Sequence, residues 1–233
     1  ADPELVAVLE KNAAFSYPHA AASALPSKVT ATELKRLEAP DEEAQSIAPK
    51  SRTHFRAPRL GGEDKLSPTA RGTATHMLLQ YIDYEKTGSE QEIREELARL
   101  TAARFLSPRQ TEAVDTGSIL RLFSSPLGKA LLSAKTLRRE FKFSILTDAE
   151  AYSPEAAGEQ VMLQGVVDCF WQEPDGIVIL DFKTDYIDGD LQQKAERYAP
   201  QLHAYAAALS RIFQTPVKKT ILYFFSANQP IEI

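Results

Sequence analysis

The sequence is poor in several residue types, and each scarcity removes a class of explanation. Cysteine occurs once in 233 residues, at Cys169, so the chain alone builds neither an internal disulfide nor a four-thiolate zinc or iron–sulfur site. Hydrophobic residues make up 43%, yet no run approaches the ~18 apolar positions that span a bilayer. The N-terminus also lacks the charged-then-apolar pattern of a secretion signal. The expectation is a soluble, cytoplasmic chain with no membrane partner. A basic surplus is missing too: 27 Lys and Arg stand against 32 Asp and Glu, for a net charge of −5. A domain that grips nucleic acid over its whole surface is usually basic. A local footprint stays open, because carboxylates that gather cations stop repelling phosphate once the cations are bound. No Gly-Lys-Ser/Thr phosphate loop occurs, so an ATPase motor is not encoded here.

What is present suffices for one large domain, or for one domain with appendages; the second reading is adopted. A helical pattern over residues 4–12 precedes an Ala-rich stretch, and Thr30 with Glu33 makes a capping box for a short helix through Leu37. Residues 38–68 shift to Pro, Ser, Glu, Arg and Gly, which reads as a linker from a longer protein. Helical spacing resumes after Pro68, with His76, Met77, Leu79 and Ile82 running toward a stop at Gly88. Ser89 with Glu92, Ser107 with Pro108, and Ser125 with Pro126 open three further helices. The first half is therefore expected to be all helix. The period then changes from 3.6 to 2, giving strands over residues 137–146, 161–171 and 177–182. A helix opening at Pro200 and a strand over residues 218–225 follow. This order implies an α/β sheet with a right-handed crossover between its third and fourth strands.

Glu173-Pro174-Asp175-Gly176 reads as a tight turn between two β-rich runs. With Pro174 and Asp175 at its tip, Glu173 faces Gly176, and counting outward sets Asp168 opposite Asp181 on one face of the sheet. Lys183 joins them two residues on. An Asp-x-Lys triplet alone is also what an ordinary strand end carries; the added Asp168 is what distinguishes this one. Opposed like charges destabilise a strand pair, and flanking Val166, Phe170, Val178, Ile179 and Leu180 suggest a buried setting. One lysine does not neutralise two aspartates, whereas a Mg²⁺ ion held by carboxylates would. Cys169 alternates to the other face and reads as a buried free thiol.

These residues resemble the RecB-type nucleases of the PD-(D/E)xK superfamily, and among them the C-terminal nuclease domain of AddA-type helicase–nuclease subunits. The boxes that carry the resemblance are Thr32-Glu33-Leu34-Lys35, Gly72-Thr73-Ala74-Thr75-His76, Glu140, Gly165-Val166-Val167-Asp168, Asp181-Phe182-Lys183-Thr184-Asp185, and Tyr198-Ala199-Pro200-Gln201 with Tyr205. Single boxes are weak; their order is specific. The resemblance implies a restriction-endonuclease-like core, a mixed central sheet flanked by helices, over residues 69–233. Residues 1–68 would then be a helical and linker segment joining it to superfamily 1 helicase domains upstream.

The resemblance further implies a Mg²⁺-dependent deoxyribonuclease acting in double-strand break repair and recombination. Its partners would be DNA and an AddB-type subunit, with no iron–sulfur cluster in this chain. His76, Asp168, Asp181 and the backbone carbonyl of Phe182 would bind the metal. Asp168, Asp181 and Lys183 would be catalytic, while Glu140, Tyr198, Gln201 and Tyr205 would support the site or the DNA strand. Glu140 could instead pair with Arg139 or Lys142, and Tyr205 also belongs to its helix's apolar stripe. His19, His54 and His203 match no box and are read as structural. The competing reading is a non-catalytic module of the same fold that binds DNA or a partner.

Overall fold

The computed structural model describes residues 2–15, 17, 23, 25–38, 66–187 and 189–233. The described elements are α1 (Pro3–Ala13), β1 (Lys28–Thr30), α2 (Ala31–Glu38), α3 (Pro68–Tyr81), α4 (Glu90–Ala102), α5 (Pro108–Ala113), α6 (Thr116–Ser124) and α7 (Pro126–Ser133). They continue with β2 (Arg138–Asp148), β3 (Gln160–Glu173), β4 (Gly176–Lys183), α8 (Leu191–Glu196), α9 (Ala199–Phe213), β5 (Val217–Phe224) and β6 (Gln229–Glu232). The linker expected over residues 38–68 falls mostly on 39–65, outside the described residues, as do His19 and His54. Among the described residues no helix is long and apolar enough to cross a membrane.

The chain gathers into two compact units, Ala1–Thr30 with Ser144–Gln164 and Ala31–Phe143 with Gly165–Ile233. In the first, β1 runs parallel to β3, pairing Lys28 with Met162 and Thr30 with Gln164. This strand corrects the expectation of an all-helical first half. Three residues are too few to show a period, and the partner that fixes them lies more than a hundred positions away in sequence. Helix α1 buries none of its residues.

In the second unit the helix starts obey local chemistry. Ser89 Oγ accepts from Glu92 N at 3.2 Å, Ser107 and Gln110 cap each other's backbone, and Ser125 Oγ accepts from Gly128 N at 3.1 Å. Each such cap contributes about 1 kcal/mol. Helix α3 begins at Pro68 behind a Ser67 cap and ends at Tyr81, earlier than Gly88, with a short 3-10 turn over Tyr84–Lys86. Its stop is fixed from outside the helix. The Arg139 guanidinium donates to the carbonyls of Leu79 at 3.1 Å and Ile82 at 2.7 Å, satisfying oxygens that a helix end leaves open.

The sheet of this unit is mixed. Strands β3 and β4 are antiparallel, β4 and β5 parallel, and β5 and β6 antiparallel. A parallel pair needs a crossover, and α9 supplies it. One sheet face carries Cys169, Trp171, Val178, Leu180, Phe182, Ile221 and Tyr223 into a core with Leu78, Ile93, Leu97 and Leu122 of the helices. Each such side chain contributes about 1.5–3 kcal/mol relative to exposure. The other face meets α9, where Phe213 stacks on Phe141 and Phe170 at 5.5 and 5.3 Å. Strand β6 carries no apolar alternation, with Gln229 and Pro230 exposed, and was absent from the sequence expectation.

Candidate active site

The turn that sets the site lies where its chemistry requires. Glu173 pairs with Gly176, Phe170 with Ile179 and Cys169 with Leu180; extended one step past this last pair, the same register sets Asp168 beside Asp181. Asp168 Oδ2 accepts from Phe182 N at 2.8 Å. One aspartate therefore reaches across to the backbone of the other strand beside its partner.

Asp181 is 2% exposed. Lys183 Nζ lies 2.6 Å from its Oδ2, but off a hydrogen-bonding direction, for that oxygen is buried with no hydrogen bond. The contact is ionic and leaves lone pairs unfilled. Lys183 is held from other directions as well. Gln201 Oε1 accepts from Nζ at 3.2 Å, and the Tyr198 ring lies under it at 4.2 Å. Gln201 is steadied in turn, donating through Nε2 to Tyr205 Oη at 2.6 Å, while the Tyr198 hydroxyl donates to Asp185. Gln201 and Tyr205, four apart on α9, share one helix face. Tyr205 approaches the strand closely because residue 165 is glycine, where an added Cβ would lie 2.6 Å from Phe143 and 3.0 Å from Tyr205.

Helix α3 brings the remaining donors. A Cβ on Gly72 would sit 2.5 Å from Thr184 Oγ1, so glycine lets the helix press against the end of β4. His76, one turn on, faces the same way, and its Nδ1 lies 3.5 Å from Asp168 Oδ1. Glu140 completes a cluster: potential ligand atoms of His76, Glu140 and Asp168 all lie within 4.8 Å of one another. Glu140 has φ +50°, a left-handed conformation that costs an ordinary residue about 1–2 kcal/mol. Its neighbour Arg139 is occupied by the α3 carbonyls and by the Tyr84 ring at 4.4 Å. No ion pair joins Glu140 to Arg139 or Lys142 among the described residues.

These side chains line a cleft of about 620 Å³ whose wall includes His76, Glu140, Asp168, Thr184, Asp185 and Tyr186. Asp181 and Lys183 lie behind that wall. Charge crowding is visible in the ionisations. Burial pushes the Asp181 carboxyl up to about 6; the Lys183 charge opposes this and Asp168 adds to it. Burial raises Glu140 also, helped by Asp168. For His76 burial acts downward, but Asp168 beside it outweighs this and the imidazole is raised. Three acids and an imidazole thus share a space that favours fewer negative charges or an added cation.

The structure brings together His76, Glu140, Asp168, Asp181, Lys183, Tyr198, Gln201 and Tyr205. Phe182 contributes its N–H to Asp168 and its ring to the core, 6.4 Å from His76. His203 is exposed. Cys169 is a buried free thiol raised above its usual range by burial. Val166, expected among the buried flanks, is 37% exposed; it lies on the cleft wall. Sequence reasoning gave no role to Thr184, Asp185 or Tyr186. The available signal was their place directly after the Asp-x-Lys triplet, where the chain leaves the sheet.

A family model described as the PD-(D/E)XK nuclease superfamily matches residues 50–232. A protein of Clostridium botulinum (strain Loch Maree / Type A3), named as an ATP-dependent helicase/nuclease subunit, is 33% identical over 229 residues, covering 96% of this chain and 18% of the relative. A protein of the same name from Acetivibrio thermocellus is 38% identical over 220 residues, covering 91% of this chain and 17% of the relative. The chain thus spans less than a fifth of the length of these relatives.

Proposed function

The chain belongs to the PD-(D/E)XK nuclease superfamily, and from that premise we propose that it is a metal-dependent deoxyribonuclease domain that hydrolyses phosphodiester bonds of one DNA strand. The observation that carries the reading is Asp168 reaching across the hairpin to the Phe182 N–H beside Asp181, with Lys183 against Asp181 and a buried Asp181 oxygen left without a hydrogen bond. An apolar pair would be more stable there unless a cation is intended, since a buried carboxylate with unfilled lone pairs costs several kcal/mol.

The donors suit a divalent ion. His76, Glu140 and Asp168 offer one nitrogen and carboxylate oxygens close together, and Asp181 with the Phe182 carbonyl completes the proposed set. Mg²⁺ accepts such oxygens with substrate and water in its other positions, and Mn²⁺ tolerates the imidazole more readily. Bound there, the cation would supply a polarised water and a counter-charge for the scissile phosphate.

The chain's own groups have separable tasks. Asp168 on the cleft wall and Asp181 behind it hold negative charge for the cation. Lys183, fixed by Asp181, Gln201 and the Tyr198 ring, orients the attacking water or carries charge of the pentacovalent phosphate. Water oxygen bonds to phosphorus and gives up a proton to solvent, the bond from phosphorus to the departing sugar oxygen breaks, and that oxygen takes a proton from solvent to leave as a hydroxyl. Gln201 and Tyr205 keep Lys183 in place, and Tyr198 does so from below.

The relatives are named as helicase/nuclease subunits, and this chain matches a small part of them. We therefore read residues 69–233 as the nuclease domain and 1–68 as its connection to upstream helicase domains. In a bacterial cytoplasm, with an AddB-type subunit, the complex would process DNA ends for double-strand break repair and recombination. The test compares intact chain with Asp181→Ala and Lys183→Ala on end-labelled single-stranded and duplex DNA, in Mg²⁺ and in chelator. Cleavage by the intact chain alone, and only with metal, is expected. Equal cleavage by all three proteins overturns the reading, as does none by the intact chain when helicase and partner are restored.

A further inference from the structure

The segment that leaves β4 joins two clefts. Beyond the cleft of the active site lies a second, of about 490 Å³, with Arg71, Thr75, Ser118 and Ser226 in its wall. Pro68, Gly72, Thr184 and Tyr186 belong to both walls, so Thr184 and Tyr186 form the ridge between them. Both volumes fall in the ~300–1,000 Å³ range of ligand clefts.

Three hydrogen bonds anchor that ridge. Ser226 Oγ donates to the Asp185 carbonyl at 2.8 Å, Lys194 Nζ donates to the Tyr186 carbonyl, and the Asp185 carboxylate accepts from Tyr198. On this anchored backbone the Tyr186 side chain is 82% exposed. A ring in water on a loose loop would say little; here the carbonyls of Asp185 and of Tyr186 itself both accept hydrogen bonds. Arg71 is the cation of the second cleft, exposed and without a side-chain partner among the described residues. The wall's carboxylate, Asp115, is already engaged by Ser118 N at 3.1 Å, Ser118 Oγ at 2.5 Å and Arg121 at 3.5 Å. The wall hydroxyls are likewise engaged, Thr75 Oγ1 with the Arg71 carbonyl at 3.2 Å, Ser118 Oγ with Asp115 and Ser226 Oγ with the Asp185 carbonyl, so the second cleft offers a free guanidinium and a presented aromatic face.

We propose that Tyr186 and Arg71 form a binding subsite for single-stranded DNA beside the cleavage site. An unpaired base stacks on the Tyr186 ring, the adjoining phosphate meets Arg71, and the strand crosses the ridge from one cleft into the other. Stacking needs a free base face, which a duplex keeps within its own stack, whereas aromatic platforms take single strands regardless of sequence. The subsite rests on the nuclease reading, since it orients a strand toward that centre.

The test measures binding of fluorescent oligo(dT) and of a blunt duplex to the intact chain by anisotropy, with Ca²⁺ replacing Mg²⁺. Tyr186→Ala is expected to weaken oligo(dT) binding about 5- to 160-fold, the range of one stacked base, and Tyr186→Phe to retain most of it. Arg71→Ala should weaken binding and reduce the slope of log affinity against log salt by about one phosphate contact. A melting curve for each variant separates these effects from unfolding. Unchanged affinity in Tyr186→Ala overturns the proposal, as does equal loss in Tyr186→Phe and Tyr186→Ala, or equal weakening for duplex and single strand. Cleavage in Mg²⁺, run alongside with helicase and partner restored, judges the nuclease reading separately: its absence there would sink that reading, while the binding comparison still decides the subsite.

Discussion

Replacing Lys183 with methionine tests how the buried aspartate is tolerated. The substitution keeps the length of the side chain and removes the charge that lies 2.6 Å from Asp181 Oδ2. Both groups are buried enough that solvent screening is slight, with side-chain exposures of 13% and 3%. Removing one partner of a buried ion pair costs about 3–5 kcal/mol, and at this chain length each kcal/mol moves the melting temperature by about 2–4 °C. In metal-free buffer at pH 8, Lys183→Met should therefore melt roughly 6–20 °C below the intact chain. The sign with pH follows from Asp181, whose folded pKa is raised above the unfolded value, to about 6. A raised group contributes stability below its unfolded pKa, near 3.9, and loses it as pH rises through the folded pKa. At pH 5 Asp181 is largely protonated and needs no counter-charge, so the deficit should shrink; His76, also raised, acts in the same direction. Adding Asp181→Asn to Lys183→Met should recover most of the loss at pH 8. Scanning calorimetry in chelator measures all of this. Equal melting of variant and intact chain at pH 8, or an equal deficit at both pH values, refutes the reasoning.

Gly72→Ala adds a methyl against Thr184 Oγ1. Better helix propensity, about 1 kcal/mol, partly offsets overpacking of about 1–3 kcal/mol, so melting should fall by no more than about 8 °C. His76 is moved, however, and cleavage should fall tenfold or more, with recovery when Thr184→Ala is added; no loss in steady-state cleavage rate would contradict the packing argument. Tyr198→Phe keeps the ring under Lys183 and deletes its bond to Asp185, whereas Tyr198→Leu removes the ring as well. A cation–π contact of about 0.5–2 kcal/mol predicts a single-turnover rate about 2- to 30-fold lower for Tyr198→Leu than for Tyr198→Phe. Glu140→Gly removes a carboxylate from the cluster but relieves a left-handed backbone, so it should melt at least as high as the intact chain while binding metal more weakly. A marked drop in melting temperature would show that the conformation carries no strain.

Legibility in the sequence followed the range of the forces involved. The hairpin of β3 and β4 could be read because Pro174, Asp175 and Gly176 act within a few residues, and its register carried Asp168 to Asp181. Helix starts at Ser107 and Ser125 were legible for the same reason. Strand β1 and strand β6 were not, being short and fixed only by distant partners. The left-handed conformation of Glu140 has no composition signal, because the residue is ordinary there. Gly72 and His76 entered through family resemblance, and the close approach to Thr184 supplies the physical reason for their spacing. The bond from Tyr198 to Asp185 joins the connection after β4 to the one between α8 and α9, which only the folded chain brings together.

The central claim is that His76, Glu140, Asp168 and Asp181 hold a divalent cation, and direct metal binding tests it without any assay of cleavage. Titration of Mn²⁺ followed by electron paramagnetic resonance should show saturable binding to the intact chain. The affinity should fall tenfold or more in Asp168→Asn and in His76→Ala, and binding should persist in Lys183→Met. Absence of saturable binding, or the same affinity in Asp168→Asn as in the intact chain, contradicts the account.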